Sequence, residues 1–121
     1  MYKIGEFTKE VIDLLNVDIA PGTPIMIGKS NIDHIKNRHI YEYDKYMDKI
    51  EDIILNPDYV GQNPKDASIC YVKLFEIDSE YVRVAVRIST KGTYIARSLH
   101  MLSTCNAERY IDKGTLIKIN P

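Results

Sequence analysis

Histidine moves protons well near neutrality, because its ordinary pKa of about 6.5 lets a neutral copy stand beside a charged one. This sequence has three, His34, His39 and His100, and the last closes the stretch Ala96-Arg97-Ser98-Leu99-His100. Cutting RNA without a metal takes a base for the 2′-hydroxyl proton, an acid for the departing 5′-oxygen, and donors for the charge that grows on the phosphate. Two histidines and an arginine meet that need. His34, His39 and His100 are the candidates for the proton transfers, Arg97 and Ser98 stand in the same stretch as His100, and the chemistry calls for no metal and no cofactor. Five positions apart on an ideal helix, His34 and His39 diverge by about 140°, so one of them is expected to be structural. His39 follows Ile32 and Ile35 along an apolar stripe, whereas His34 aligns with Arg38 and faces solvent or a cleft. The plainer roles are a helix cap for His39, an exposed polar side chain for His34 and a satisfied strand histidine for His100.

The neighbours of His100 depend on strand alternation. Val82, Val84, Val86 and Ile88 fall on one face of a strand, and Tyr81, Arg83, Ala85, Arg87 and Ser89 on the other. Lys73 joins that basic face if the register suits. On the next strand Tyr94, Ala96, Ser98 and His100 share a side, and Arg97 points away from it unless a bulge intervenes. Lys91 lies in Ser89-Thr90-Lys91-Gly92, which has donors for a phosphate and is equally an ordinary hairpin turn. Lys73, Arg83, Arg87 and Lys91 are the candidate substrate-binding residues. Tyr41, Tyr43 and Tyr46 have the spacing either to stack on bases or to pack half-buried along a helix.

The elements that would position these groups follow from periodicity. Thr8 can cap a helix through Val11, Leu14 and Leu15 that ends near Asn16, before the Pro21-Gly22-Thr23-Pro24 turn. Pro24 to Ile27 reads as a strand or an extended lead-in. Ser30 or Asn31 caps a second helix that carries His34 and His39, and a third amphipathic segment runs from Tyr43 to Ile54 until Asn56-Pro57 stops it. From Ser68 the apolar period shortens to two residues. Strands Ile69 to Glu76, Tyr81 to Ser89 and Thr93 to Leu102 are joined by short turns, which predicts an antiparallel meander. Ser103 or Thr104 then caps a short helix, Gly114 ends it, and Thr115 to Ile119 reads as a last strand. Helices first and an antiparallel sheet after them make an α+β domain.

The bulk properties frame this plan. A chain of 121 residues fits one domain, and 45% hydrophobic with 27% charged residues is the composition of a folding globular protein rather than a disordered one. No apolar run approaches the roughly 20 residues needed to span a bilayer. Lys3, Glu6, Lys9, Glu10 and Asp13 interrupt the stretch where a signal peptide would be apolar, so a cytoplasmic protein is expected, either made there or delivered into a target cell. Cys70 and Cys105 lack the spacing of a zinc site and stand either as free thiols or as one disulfide. Residues 1 to 60 hold 7 Lys and Arg against 11 Asp and Glu, and residues 61 to 121 hold 9 against 6. The second half is the side suited to anions.

Three stretches together resemble the phage-associated members of the barnase, EndoU, colicin and RelE-like (BECR) nuclease superfamily. They are Asp33-His34-Ile35-Lys36-Asn37-Arg38-His39, Asn56-Pro57-Asp58-Tyr59-Val60 and Ala96-Arg97-Ser98-Leu99-His100, and the likeness runs over residues 25 to 119. The resemblance implies N-terminal helices packed on a roughly four-stranded antiparallel sheet, and a metal-independent endoribonuclease of the kind mobile elements deploy as toxins. It points to His34 or His39 on the helix and to Arg97, Ser98 and His100 on the strand. In the working hypothesis His34 is the base, His100 is the acid, and Arg97 or Ser98 meets the scissile phosphate. The implied partners are RNA, with tRNA among the candidates, and a cognate immunity or antitoxin protein, with no membrane. Two other readings compete: a non-catalytic nucleic-acid-binding module gripping phosphates through Lys73, Arg83, Arg87 and Lys91, and an interaction protein acting through its acidic helical half.

Overall fold

The computed structural model describes residues 1–119, so Asn120 and Pro121, the last two residues of the expected domain, lie outside the described residues. Local signals start and stop the helices. Thr8 accepts the Val11 N–H at 3.3 Å to open α1 (Lys9–Leu15), and Asn16 closes it at φ 52°. The second helix, α2 (Lys29–Arg38), begins earlier than Ser30 or Asn31 would have it. Gly28 is its cap, and Asn31 reaches back from the third helical position to accept the Gly28 N–H at 2.9 Å. The segment after it breaks into α3 (Ile40–Tyr46), a 3-10 turn at Met47–Lys49 and α4 (Ile50–Leu55), which ends ahead of Pro57. Ser103, accepting the Asn106 N–H at 3.2 Å, caps α5 (Thr104–Asp112).

The sheet is larger than the resemblance implies. Besides β4 (Ile69–Phe75), β5 (Glu80–Ile88) and β6 (Tyr94–Leu102), it contains β1 (Tyr2–Glu6), β2 (Pro24–Ile27), β3 (Tyr59–Gln62) and β7 (Leu116–Lys118). These seven strands run in the order β1-β2-β6-β5-β4-β3-β7. The sheet is also mixed rather than antiparallel throughout, because β2 pairs parallel with β6 through Ile25 opposite Tyr94 and Met26 opposite Ile95. Gly61 lets β3 approach β7, since a Cβ there would run into the Thr115 carbonyl oxygen. Among the described residues no helix is long and apolar enough to cross a membrane.

Both faces of the sheet are covered. Val82, Val84, Val86, Ala96 and Leu99 pack with Phe7, Val11, Ile35, Tyr46, Ile53 and Ile54 in the main core, on the side of α1 to α4. On the other face Val72, Leu102 and Leu116 pack with Ala107 and Tyr110 of α5 in a second, smaller cluster. The C-terminal helix thus closes an apolar patch of the second face.

Candidate functional site

The site arises where the sheet opens. β2 pairs with β6 only at Tyr94 and Ile95, and beyond them the strand from Ser98 to Leu102 has, among the described residues, β5 as its one strand neighbour. The α2–α3 corner packs along that open edge. A strand edge exposes unpaired N–H groups, and here Glu42 of α3 accepts the Met101 N–H at 3.0 Å. That bond pins the corner beside His100.

His39 occupies the corner itself. It is the last cap of α2 and the first of α3, at φ −136° and ψ 57°, its N–H donating to Ile35 O and its carbonyl accepting the Tyr43 N–H, both at 2.8 Å. Because His39 has left the helix, the 140° separation from His34 does not hold. The two rings come within 6.3 Å, edge to face, and His39 lies stacked on His100 at 5.4 Å with 25° between planes. His39 Nδ1 is 3.8 Å from the Glu42 carboxylate. All three histidines thus stand in one row, with exposed His34 outermost and His100 innermost.

Arg83 completes the row. It faces His100 across the β5–β6 ladder, donates through Nε to His100 Nε2 at 3.2 Å, and holds Nη2 at 2.6 Å from the same nitrogen. A guanidinium only donates, so Nε2 carries the lone pair and the proton sits on Nδ1. Nδ1 is buried and has no partner among the described residues. Burial first, then the charge of Arg83 and the proximity of His39, push the His100 pKa down to about 4. The imidazole is therefore neutral at pH 7.

The remaining sequence candidates separate. Ser98, opposite Ala85, shares the face of His100 and is half-buried. A bulge corrects the expected grouping of β6: Val86 pairs with Ala96 and Ala85 with Ser98, leaving Arg97 as the extra residue. Ala96 and Tyr94 accordingly take the core face of Val86 and Ile88, away from Ser98 and His100, and Arg97 is exposed at the bulge. Lys73 pairs with Val82, which puts it on the face opposite Arg83, where it donates to the Asn56 carbonyl at 2.8 Å and lies 3.9 Å from Asp52. Arg87 stands about 13 Å along β5 from Arg83, in a cavity that Asp18 and Asp66 also line. Lys91 is exposed in the hairpin turn at the far end. Tyr46 is buried and donates to Glu80, Tyr43 packs against the core, and exposed Tyr41 donates to Glu80 at 2.8 Å, so these tyrosines are structural.

Glu42 is the site residue that the sequence does not single out. Its spacing of three from His39 is visible, but its bond to the edge of β6 spans 59 positions. Among the described residues no three His, Cys, Asp or Glu side chains group as metal ligands; Cys70 is a buried thiol and Cys105 an exposed one.

Histidines and a guanidinium gathered over the open half of a sheet, in a chain of this size, are the equipment of a nuclease-like α+β domain. The family model described as phage-Barnase-EndoU-ColicinE5/D-RelE like nuclease3 matches residues 2–109, and the chain belongs to that family. The match begins at β1, well before residue 25, and takes in every residue of the histidine row. No curated protein and no solved structure matches the chain.

Proposed function

We propose that this protein is a metal-independent endoribonuclease whose 2′-hydroxyl attack leaves a 2′,3′-cyclic phosphate and a free 5′-hydroxyl. Its setting is that of a toxin of a phage or other mobile element acting on RNA in the cytoplasm, with a cognate immunity protein in its host. The observation that carries the reading is the Arg83–His100–His39 row, with its stacked imidazoles and its guanidinium on one nitrogen. A neutral His100 with a lone pair on Nε2 is equipped to take the 2′-hydroxyl proton. A phosphate is a stronger partner for Arg83 than a neutral imidazole is, because both members are charged. When Arg83 turns to the phosphate, Nε2 is freed and the positive charge depressing the ring is compensated.

His39, more exposed and beside Glu42, supplies the proton for the departing 5′-oxygen, and Arg83 bears on the charge developing at phosphorus. The roles expected from sequence are thereby exchanged: His100 is base rather than acid, His39 replaces His34 in the central pair, and Arg83 takes the phosphate contact assigned to Arg97 or Ser98. His34 and Ser98 stand at the rim. Purified protein incubated with total RNA, tRNA included, tests this through the fragment ends. Cyclic phosphate ends are expected, unaffected by EDTA, and lost with His39→Ala and with His100→Ala. Equal cleavage by wild type and both variants overturns the assignment. RNA that is bound with steep salt dependence yet recovered intact indicates a binding module instead.

A further inference from the structure

Arg83 belongs to two places at once. While its guanidinium holds His100, the residue also lines a cleft of about 390 Å³ between the β3–β4 loop and α5. That volume lies in the range of roughly 300–1,000 Å³ typical of small-ligand sites. Lys65 enters the cleft from the loop, Arg109 from α5 and Lys113 from its C-terminal cap, with no Asp or Glu among the described residues of the lining. Lys3, Lys9, Lys45 and Lys73 each stand within 4 Å of a carboxylate. Lys65, Arg83, Arg109 and Lys113 have no carboxylate at ion-pair distance among the described residues. Among the described residues Arg109 meets the neutral Asn106 Oδ1 at 3.0 Å and the Tyr110 ring, 5.5 Å from its centroid. Cys70 also lines the cleft, and burial raises its thiol above the ordinary value, so it adds no negative charge. Four cations around one concavity repel one another until an anion enters.

Resting on the nuclease reading, we propose that this cleft holds the phosphate and nucleoside next to the scissile bond, so that an RNA strand runs from His39 across Arg83 to Lys65, Arg109 and Lys113. Arg83 makes the path continuous, because it lines the cleft and touches the imidazole that takes the 2′-hydroxyl proton. An acidic protein surface would satisfy the same charges. A concave site joined to the histidine row favours a strand.

The test uses a 2′-O-methyl oligoribonucleotide, which lacks the attacking hydroxyl and reports binding without cleavage. Wild type is compared with a triple variant, Lys65→Ala, Arg109→Ala and Lys113→Ala, and with the single variants Lys113→Ala and Lys113→Glu. All three side chains are exposed, and an unchanged thermal midpoint verifies the fold. The triple variant is expected to bind at least about tenfold more weakly, with the slope of log K against log salt lower by about 2, since each contact to a single strand contributes about 0.7. Lys113→Glu weakens binding more than Lys113→Ala. Wild-type affinity and slope in the triple variant overturn the proposal. So does a triple variant that keeps RNA but loses polyglutamate, which assigns the cleft to an acidic protein. Cleft-dependent binding without cleavage of natural RNA leaves this site standing and removes the nuclease reading; cleavage with unaltered variant affinity does the reverse.

Discussion

Arg83 and His100 are joined at a single atom, with the guanidinium Nε at 3.2 Å and Nη2 at 2.6 Å from His100 Nε2. Their backbones face each other across the β5–β6 ladder, so the contact is built into the register rather than chosen by flexible side chains. The cation keeps the ring's lone pair turned toward it and opposes a second proton. Arg83→Ala removes that opposition but leaves the burial, which is the larger cause. The His100 titration midpoint, about 4 in the wild type, is expected to rise in the variant yet stay short of 6.5. Imidazole proton shifts followed by NMR against pH measure it, and a midpoint unmoved by the substitution would show that the guanidinium does not act on the ring.

The same depression makes stability depend on pH. The unfolded chain protonates His100 below about 6.5 and the folded chain only below about 4, so between those values the unfolded state binds more protons. The contribution is fully present above pH 6.5 and is lost as the pH falls toward 4, amounting to at most about 3 kcal/mol. Glu80 and Asp66, whose carboxyls are held below their ordinary values, add losses that start only below about pH 4.5. Denaturant unfolding at pH 7.5 and pH 5 in wild type and His100→Gln isolates the histidine. The variant should lose less stability between the two, and parallel losses would disprove the linkage.

Elements whose cues are local were legible in the sequence. Thr8 and Ser103 act as helix caps, Asn16 and Gly114 end their helices, and the alternation of Val82, Val84 and Val86 fixes the buried face of β5. What escaped depends on contacts remote in sequence. β1 and β3 are short, and Gly5 and Gly61 break their apolar patterns for close approaches that only the folded sheet reveals. Alternation within one strand does not set the register with the next, and the register that forms pairs Lys73 with Val82, on the face opposite Arg83. The single bulge residue Arg97 moves Ala96 and Tyr94 to the opposite face from Ser98. An ideal helix would turn His39 away from His34, whereas its non-helical backbone brings it onto His100.

Glu80 ties α3 to the sheet. It accepts from the buried Tyr46 hydroxyl, from Tyr41 and from Lys45, and these donors hold its carboxyl below the ordinary range, while burial first and then Glu80 push the Tyr46 phenol up to about 12. Glu80→Ala leaves the Tyr46 hydroxyl without its acceptor in a buried position, which costs about 1–3 kcal/mol. Adding Tyr46→Phe to that variant removes the stranded donor and should recover part of the loss. Equilibrium unfolding of the two single variants and the double variant decides the matter, and strictly additive losses would sink the coupling.

Glu42 makes a sharper prediction, because its two tasks can be separated. One carboxylate oxygen accepts the Met101 N–H, holding the α2–α3 corner against the open edge of β6, and the same oxygen lies 3.8 Å from His39 Nδ1. Glu42→Gln keeps an oxygen that can accept the Met101 N–H but loses the charge beside His39, whereas Glu42→Ala loses both. If the corner's position is what matters, cleavage falls by up to about a hundredfold in Glu42→Ala, as displacement of a reacting group by about 1 Å can do, and returns largely in Glu42→Gln. If the charge matters more, both variants fall together and the Gln variant changes its pH profile without losing amide protection at Met101. Hydrogen exchange of that one N–H, read beside the rate of RNA cleavage, separates the two. Normal cleavage in Glu42→Ala despite rapid exchange at Met101 would mean that the corner holding His39 has no part in the chemistry.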